Sequence, residues 1–292
     1  MNINNINIDN INTLVIPDIH GRTFWKNALN MFPKNKYENL HIVFLGDYVD
    51  PYDFEHISRE DAISNFEDIL LTSQNDNRIH LLIGNHDMHY FYDAPYKSRV
   101  DRIHYNDIKA MFENHMHMFN VAFDNIINGI TYLFTHAGVT SFWLQHLRLM
   151  GKIGIDNNKE YRIDRYGNKV KKLPDGRLSF CQLLANMIPT ADQLNQLLNN
   201  FQGQANLWMA SYERGGEYDF GSCIWADLNE WGYENSEIEG IFQVFGHTLI
   251  GGGNVDAAVI RPLGKNIAML DSRQAWCIDN EGNFISVNDL KI

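Results

Sequence analysis

The sequence predicts an α/β fold built around a layered sheet, and three observations carry the prediction. Short apolar runs rich in β-branched and aromatic residues recur at strand length; segments with helical spacing lie between them; and each run ends at polar residues able to bind a metal. The runs are Leu14 to Pro17, His41 to Leu45, Ile79 to Ile83, Ile130 to Thr135 and Ile241 to Phe245, and they lead into DIHG, GDYVD, GNHD, HAG and GHT. Parallel strands need crossover connections, usually helices, so helices between successive strands stack layers onto a sheet.

The clearest helix begins at Ser58, with Asp61 three residues on as its capping-box partner and Ile63, Phe66, Ile69 and Leu70 following at helical intervals. Asp107 to Phe119 and Thr140 to Leu149 also read as helices. From Gly151 to Gly176 the chain is polar, with turn signals at Asn157-Asn158, Tyr166-Gly167 and Pro174-Asp175-Gly176, which predicts an exposed excursion. Thr190 and Gln193 open another helix, through Leu194, Leu197 and Leu198. Residues 151–203 therefore read as an insertion able to cover the site, within a single domain spanning 1–292. Short strands at Ala257 to Ile260, Ile267 to Leu270, Ala275 to Ile278 and Phe284 to Val287, separated by Gly and Asn turns, predict an antiparallel end to a sheet.

Composition narrows the function. A formal net charge of −12, with no basic run longer than Lys171-Lys172, lacks the electrostatic footprint of a protein that grips long nucleic acid. Metal-binding carboxylates account for part of that charge, since they count as negative only until the ion is added. No apolar run approaches the roughly 20 residues that span a bilayer. The three cysteines, Cys181, Cys223 and Cys277, leave one unpaired under any disulfide scheme. With a polar, Asn-rich start and no secretory leader pattern, the chain reads as cytoplasmic.

Ligands of open α/β sheets bind beyond the carboxyl ends of the strands, so the strand-end motifs should meet at one place. They carry Asp18, His20, Asp47, Asn85, His136 and His247, an oxygen and imidazole set suited to manganese, iron or zinc, with no thiolate. Extended backbone would point Asp18 and His20 to one face, where they could hold one ion. Asp47 has two oxygens and could bridge to a second ion completed by Asn85, His136 and His247. Two such ions clamp the attacking and leaving oxygens of an in-line displacement and lower the pKa of bound water from about 15.7 toward about 7, making a bridging hydroxide available. His86, one residue from a ligand, should point elsewhere and is assigned as general acid, its imidazole oriented by Asp50. The other histidines read as structural or surface, with His89, which lies closest to a motif, the first exception to expect.

The order DxH, GDxxD, GNHD, HAG, GHT resembles the calcineurin-like metallophosphoesterases over Asp18 to Thr248. The lone GHT is more similar to the phosphoprotein-phosphatase branch, which includes bacterial Ser/Thr phosphatases and diadenosine tetraphosphatases. The resemblance implies a four-layer α/β/β/α sandwich with mixed sheets and a dinuclear centre of divalent or trivalent ions, manganese the first choice. It repeats the assignment of Asp18, His20 and Asp47 to one ion and of Asp47, Asn85, His136 and His247 to the other. Trp225-Ala226-Asp227 looks like the tryptophan segment that precedes the last metal histidine in that branch.

One departure is specific to this chain. The family reads GDxxDRG, with an arginine that grips phosphate, whereas Asp50 is followed here by Pro51-Tyr52. A phosphate dianion calls for guanidinium donors; the candidates are Arg214, in ERGGEYDFGS, and Arg99 or Arg102, after GNHD. Together with Asn85 these are the expected substrate contacts. The implied reaction is hydrolysis of a phosphomonoester or phosphoanhydride, on a phosphorylated small molecule, a nucleotide or a phosphoprotein. Two alternatives are a phosphodiesterase or nuclease acting on small substrates, and a non-catalytic metal-binding scaffold; retention of His86 and Asp50 argues against the scaffold.

Overall fold

A computed structural model describes residues 8–91, 98–159, 162–163, 169–170, 175–232, 236–250, 259–260 and 265–290. The chain runs β1 (Ile11–Ile16), α1 (Phe24–Met31), β2 (His41–Phe44), α2 (Arg59–Asn75), β3 (Ile79–Leu82), α3 (Asn85–Phe91), α4 (Tyr105–Asn114), β4 (Phe119–Asn120), β5 (Ala122–Ile127) and β6 (Ile130–Thr135). It continues with α5 (Ser141–Lys159), the paired short strands β7 (Arg162–Ile163) and β8 (Lys169–Val170), α6 (Asp175–Ala185), α7 (Ala191–Asn195) and α8 (Phe201–Leu207). The last strands are β9 (Ile241–Phe245), β10 (Val259–Ile260), β11 (Ile267–Met269), β12 (Trp276–Asp279) and β13 (Phe284–Ser286).

Two mixed sheets form, ordered β13-β12-β1-β2-β3-β4 and β10-β11-β9-β6-β5. In the first, β1 to β4 are parallel and β12 and β13 antiparallel. In the second, β6, β9 and β11 are parallel, with β5 and β10 antiparallel at its edges. Strand alternation explains the layering. Val15, Val43, Leu45 and Leu82 of the first sheet meet Tyr132, Phe134, Phe242 and Val244 of the second in one buried cluster. Leu14, Ile16, Ile42 and Phe44 turn the other way, into a cluster with Trp25, Phe66, Ile69 and Leu70 of the covering helices. On the outer face of the second sheet, Asn195 of α7 accepts the Val121 and Ala122 N–H groups through Oδ1. Gln243 of β9 reaches out to Val139, just before α5. The architecture is the four-layer α/β/β/α sandwich.

Ser58 caps α2 by accepting the Asp61 N–H, worth about 1 kcal/mol. Thr190 accepts the Gln193 N–H at α7. Other elements differ from the sequence expectation. The helix expected over Asp107 to Phe119 ends at Asn114; a 3-10 turn follows, and Phe119 instead pairs with Leu81 as the start of β4. The helix expected to stop at Leu149 runs on as α5 to Lys159, through the beginning of the expected polar excursion. Gly151 there is a packing residue, since a Cβ would lie 2.2 Å from the Ala185 backbone nitrogen of α6. The rest of that excursion lies largely outside the described residues. Of the strands after His247, β12 and β13 form the expected antiparallel end of the first sheet and β10 an antiparallel edge of the second, while β11 lies parallel to β9. Strand β5, with its weak alternation, and helix α1 had no sequence prediction.

Phe180, Leu184, Met187 and Leu194 of the 151–203 segment are buried in the main core, and among the described residues none of the segment lines the cavity described below. Its described helices pack into the helical layer. The three cysteines are buried free thiols. Among the described residues no helix is long and apolar enough to cross a membrane.

Candidate active site

Strands β1, β2, β3, β6 and β9 release their chain at one edge of the sandwich, and the six predicted ligands come off those ends. His20, Asp47, Asn85 and His247 line a cavity of about 530 Å³, joined there by Tyr52, His86, Ser98, Arg99, Arg214 and Trp225. Asp18 and His136 are buried just beneath. The local backbone is not the extended ribbon expected at Asp18 and His20. His20 has φ +44°, Asp47 +55° and His247 +68°, and Asp50 follows at +60°, all in the left-handed region that non-glycine residues rarely adopt. Such strain gathers at functional sites because the surrounding structure holds it in place. Asp87 supplies part of that hold by accepting the Asp47, Tyr48 and Gly84 N–H groups. A Cβ at Gly84 would lie 2.1 Å from Asp47 Oδ1, and one at Gly246 2.1 Å from Asp18 Oδ1, so glycine is what admits both carboxylates.

The donor set fits cations. The carbonyl oxygens of Val49 and Leu45 can only accept, so His20 Nδ1 (3.0 Å) and His136 Nδ1 (2.8 Å) must donate to them. This fixes each tautomer and turns an unprotonated Nε2 inward, the usual preparation of a metal histidine. His136 Nε2 then faces Asn85 Oδ1 at 3.0 Å and His247 Nδ1 at 3.1 Å, while His247 Nδ1 is 2.9 Å from Asn85 Oδ1. At most one proton can sit among these three atoms, and their separations match the roughly 3.0–3.4 Å edges of a coordination shell with bonds of about 2.1 Å. Asp47 Oδ2 lies 3.4 Å from His20 Nε2 and 3.6 Å from His136 Nε2, between the two halves of the site. Asp18 accepts the His247 N–H at 3.0 Å and groups with Asp47 and His136 within reach of one ion; His20, Asp47 and His86 form a second such group.

Electrostatics point the same way. Burial holds His20 and His247 well below the usual imidazole range, so both are neutral donors at pH 7. Burial pushes the Asp47 carboxyl up, but His136, His86, His20 and His247 outweigh it and hold Asp47 well below its ordinary value. Asp18 is raised by burial, with the Asp47 charge adding to the effect. Asp18 and Asp47 bury two carboxyl groups side by side, and a cation bound between them would supply the counter-charge that burial withholds.

Beside the ligands, His86 Nδ1 is 3.1 Å from Asp50 Oδ2. Two more groups converge on Asp50: His89 Nε2, 2.9 Å from the same oxygen, and the Tyr90 hydroxyl, which donates to Oδ1 at 2.6 Å. His89 is therefore the exception among the remaining histidines. Reading GNHDMHY as the helix α3 would have found it, since His86 and His89 are three residues apart on one face.

Of the three candidate arginines, two reach the cavity. Arg99 Nη2 lies 3.2 Å from His86 Nε2 and 3.4 Å from His20 Nε2, its guanidinium 3.7 Å above the Tyr52 ring. Arg214 also lines the cavity, paired with Asp227 at 2.6 Å and donating to the Thr248 hydroxyl at 2.6 Å. Asp227 thus serves an arginine and not a ligand histidine. Arg102 is exposed and does not line the cavity, because its loop turns Arg99 inward three residues earlier. Buried Arg22 had no sequence signal of its own; it donates to the Asp18 carbonyl and pairs with Glu55, bracing the first ligand loop. Tyr90 packs against Phe112 and Tyr105, and Tyr105 donates to the His89 carbonyl, so these rings support the loop rather than line the cavity. Tyr92 and Tyr96 lie outside the described residues.

The family model for calcineurin-like phosphoesterases matches residues 11–250. Among solved structures the chain is similar to a protein serine/threonine phosphatase from Saccharomyces cerevisiae with similarity to human phosphatase PP5, at 14% identity over 96% of this chain and 80% of that one, with a TM-score of 0.39. It is also similar to a candidate diadenosine tetraphosphatase, at 14% identity over 97% of this chain and 95% of that one, with a TM-score of 0.41. No curated protein matches the sequence.

Proposed function

The chain belongs to the calcineurin-like phosphoesterases, metal-dependent hydrolases, and from that premise we propose that it hydrolyses a phosphomonoester or phosphoanhydride, as the phosphoprotein-phosphatase branch does. The observation that carries this reading is the placement of a paired imidazole and carboxylate, His86 and Asp50, beside a cation-ready donor set and two inward arginines. In this reading Asp18, His20 and Asp47 hold one ion and Asp47, Asn85, His136 and His247 the other. Oxygen and imidazole donors favour manganese and accommodate iron or zinc. The bound ions supply a nucleophilic water at neutral pH and neutralise the phosphate.

The remaining work falls to side chains of this chain. Arg99 and Arg214, which both line the cavity, hold the phosphate together with Asn85. Pro51 stands where the family carries its phosphate-gripping arginine, and Tyr52 beside it forms a platform on which Arg99 arrives from a different loop. Arg99 donates toward His86 Nε2 in the free protein; a phosphate that draws Arg99 away frees that nitrogen to take up a proton from solvent, and the imidazolium so formed, its Nδ1–H held by Asp50, presents that proton to the leaving oxygen. As water attacks phosphorus, the bond to the leaving group breaks, its electron pair stays on the leaving oxygen, and His86 gives that oxygen the proton. Asp50 holds the imidazole by accepting from Nδ1. Residues 1–292 act as one catalytic unit in this reading, with 151–203 added to its helical layer.

The test is a comparison of p-nitrophenyl phosphate, bis-p-nitrophenyl phosphate and diadenosine tetraphosphate as substrates, with manganese and after chelation. Manganese-dependent turnover of the monoester or the tetraphosphate is expected. Turnover of the diester alone would make the chain a phosphodiesterase, and no turnover with two ions bound would make it a scaffold.

A further inference from the structure

We propose that His89 is a positioning residue for the general acid, gripping the same Asp50 oxygen that His86 contacts and so fixing the orientation in which Asp50 holds His86. The proposal rests on the reading of His86 as the acid. Asp50 is 1% exposed, and its two oxygens meet three side-chain donors: His86 and His89 on Oδ2, Tyr90 on Oδ1. Burial raises the Asp50 carboxyl, yet the hydrogen bonds from His86 and His89 prevail and bring it down to about 2, so it is ionised and has no proton to donate. Both imidazoles must therefore donate to it, His86 through Nδ1 and His89 through Nε2.

Nδ1 of His89 is buried and has no hydrogen-bond partner among the described residues, so the polar contact the ring makes there is the one to Asp50. Burial also keeps the His89 pKa below the usual value, against the pull of Asp50, so the ring is a neutral donor. Burying a neutral imidazole on a carboxylate costs more than filling the space with an apolar side chain, unless the hydrogen bond does something. Here it removes a rotation. With only His86 on Oδ2, the carboxylate could follow the imidazole when Arg99 or substrate pulls on Nε2; with His89 on the same oxygen and Tyr90 on the other, it is held at three points. Tyr90 is itself held, because its oxygen accepts the Asp101 N–H at 2.8 Å, two residues beyond Arg99. The acid and the arginine loop thus share one anchor.

The experiment compares His89→Leu and His89→Gln with wild type and His86→Asn, all manganese-loaded, on p-nitrophenyl phosphate and phenyl phosphate. The first leaving group departs without a proton and the second needs one. H89L should lower kcat on phenyl phosphate at least about tenfold more than on p-nitrophenyl phosphate with little change in KM. H89Q keeps an N–H donor and should recover most of the loss. Equal losses on both substrates, no loss on either, or release of a bound ion from H89L would each overturn the proposal. If H86N shows the leaving-group bias and H89L does not, only this inference fails; if H86N shows none, or wild type turns over neither monoester, the acid reading fails and takes this one with it. Should H89L not fold, nitrogen NMR of the zinc-loaded wild type decides: His89 Nε2 must carry a proton, and an unprotonated Nε2 refutes the proposal.

Discussion

Strands β2 and β3 each place a histidine near their start and a ligand beyond their end, and the two edges of the sandwich treat close imidazoles differently. At the starting edge, His41 Nδ1 lies 3.2 Å from His80 Nε2, and the His80 ring stacks on Phe123 with centroids 3.8 Å apart. At the other edge, His136 Nε2 lies 3.1 Å from His247 Nδ1. The separations are nearly equal, but the surroundings are not. His136 is locked into one tautomer by a backbone carbonyl and shares its space with Asn85, Asp47 and Asp18. No carboxylate is grouped with His41 and His80 among the described residues. Closeness of imidazoles alone gathers no donor set; at the second edge a fixed tautomer and buried oxygen donors accompany it.

The hardest way to break this comparison is to remove the oxygen donor that stands between the two halves. Asp47→Asn should lose at least one of two bound ions and lower kcat/KM by about a thousandfold or more, whereas His80→Phe should keep both ions and full activity. Metal analysis alongside p-nitrophenyl phosphate kinetics checks both, and ion loss from H80F would erase the distinction.

The walls of the cavity give an intermediate effect. Arg99→Ala and Arg214→Ala should each cost about 10- to 100-fold in kcat/KM, the range of a charge-assisted hydrogen bond to phosphate, while Arg102→Ala should stay within about twofold. Phosphate inhibition constants should weaken in parallel for the first two. A large effect from Arg102 would mean that its loop closes over substrate.

The smallest effect belongs to the starting edge and concerns stability. Burial, with His41 adding, depresses the His80 pKa to about 4, so the folded protein binds fewer protons there than the unfolded chain. This contribution is fully present above the unfolded pKa of about 6.5 and is lost as pH falls from there toward 4. Allowing for partial exposure, it amounts to about 1–2 kcal/mol. Urea unfolding at pH 7 and 4.5 should show wild type losing that much more than H80F; equal losses would remove His80 from the account.

The sequence alone determined the order of the ligand motifs and the ends of the strands that carry them. A strand end is a local event: an apolar run stops at a glycine, and the residues beyond it are those of the motif. Asp18, Asp47, Asn85, His136 and His247 could be read in that way, as could the Ser58 cap and the pairing of His86 with Asp50. Extended geometry at His20 could not, because its left-handed φ is imposed by backbone hydrogen bonds to the Asp47 loop, about thirty residues away. Nor could the run of α5 past Gly151, which depends on the close approach of α6. Only the tertiary structure chose Arg99 over Arg102, by laying Tyr52 beneath the first. It alone brought His89 to Asp50, and it alone fixed which nitrogen of each histidine faces inward. These are contacts between segments distant in the chain, decided by how two sheets and their helices pack, and no local pattern of residues encodes them.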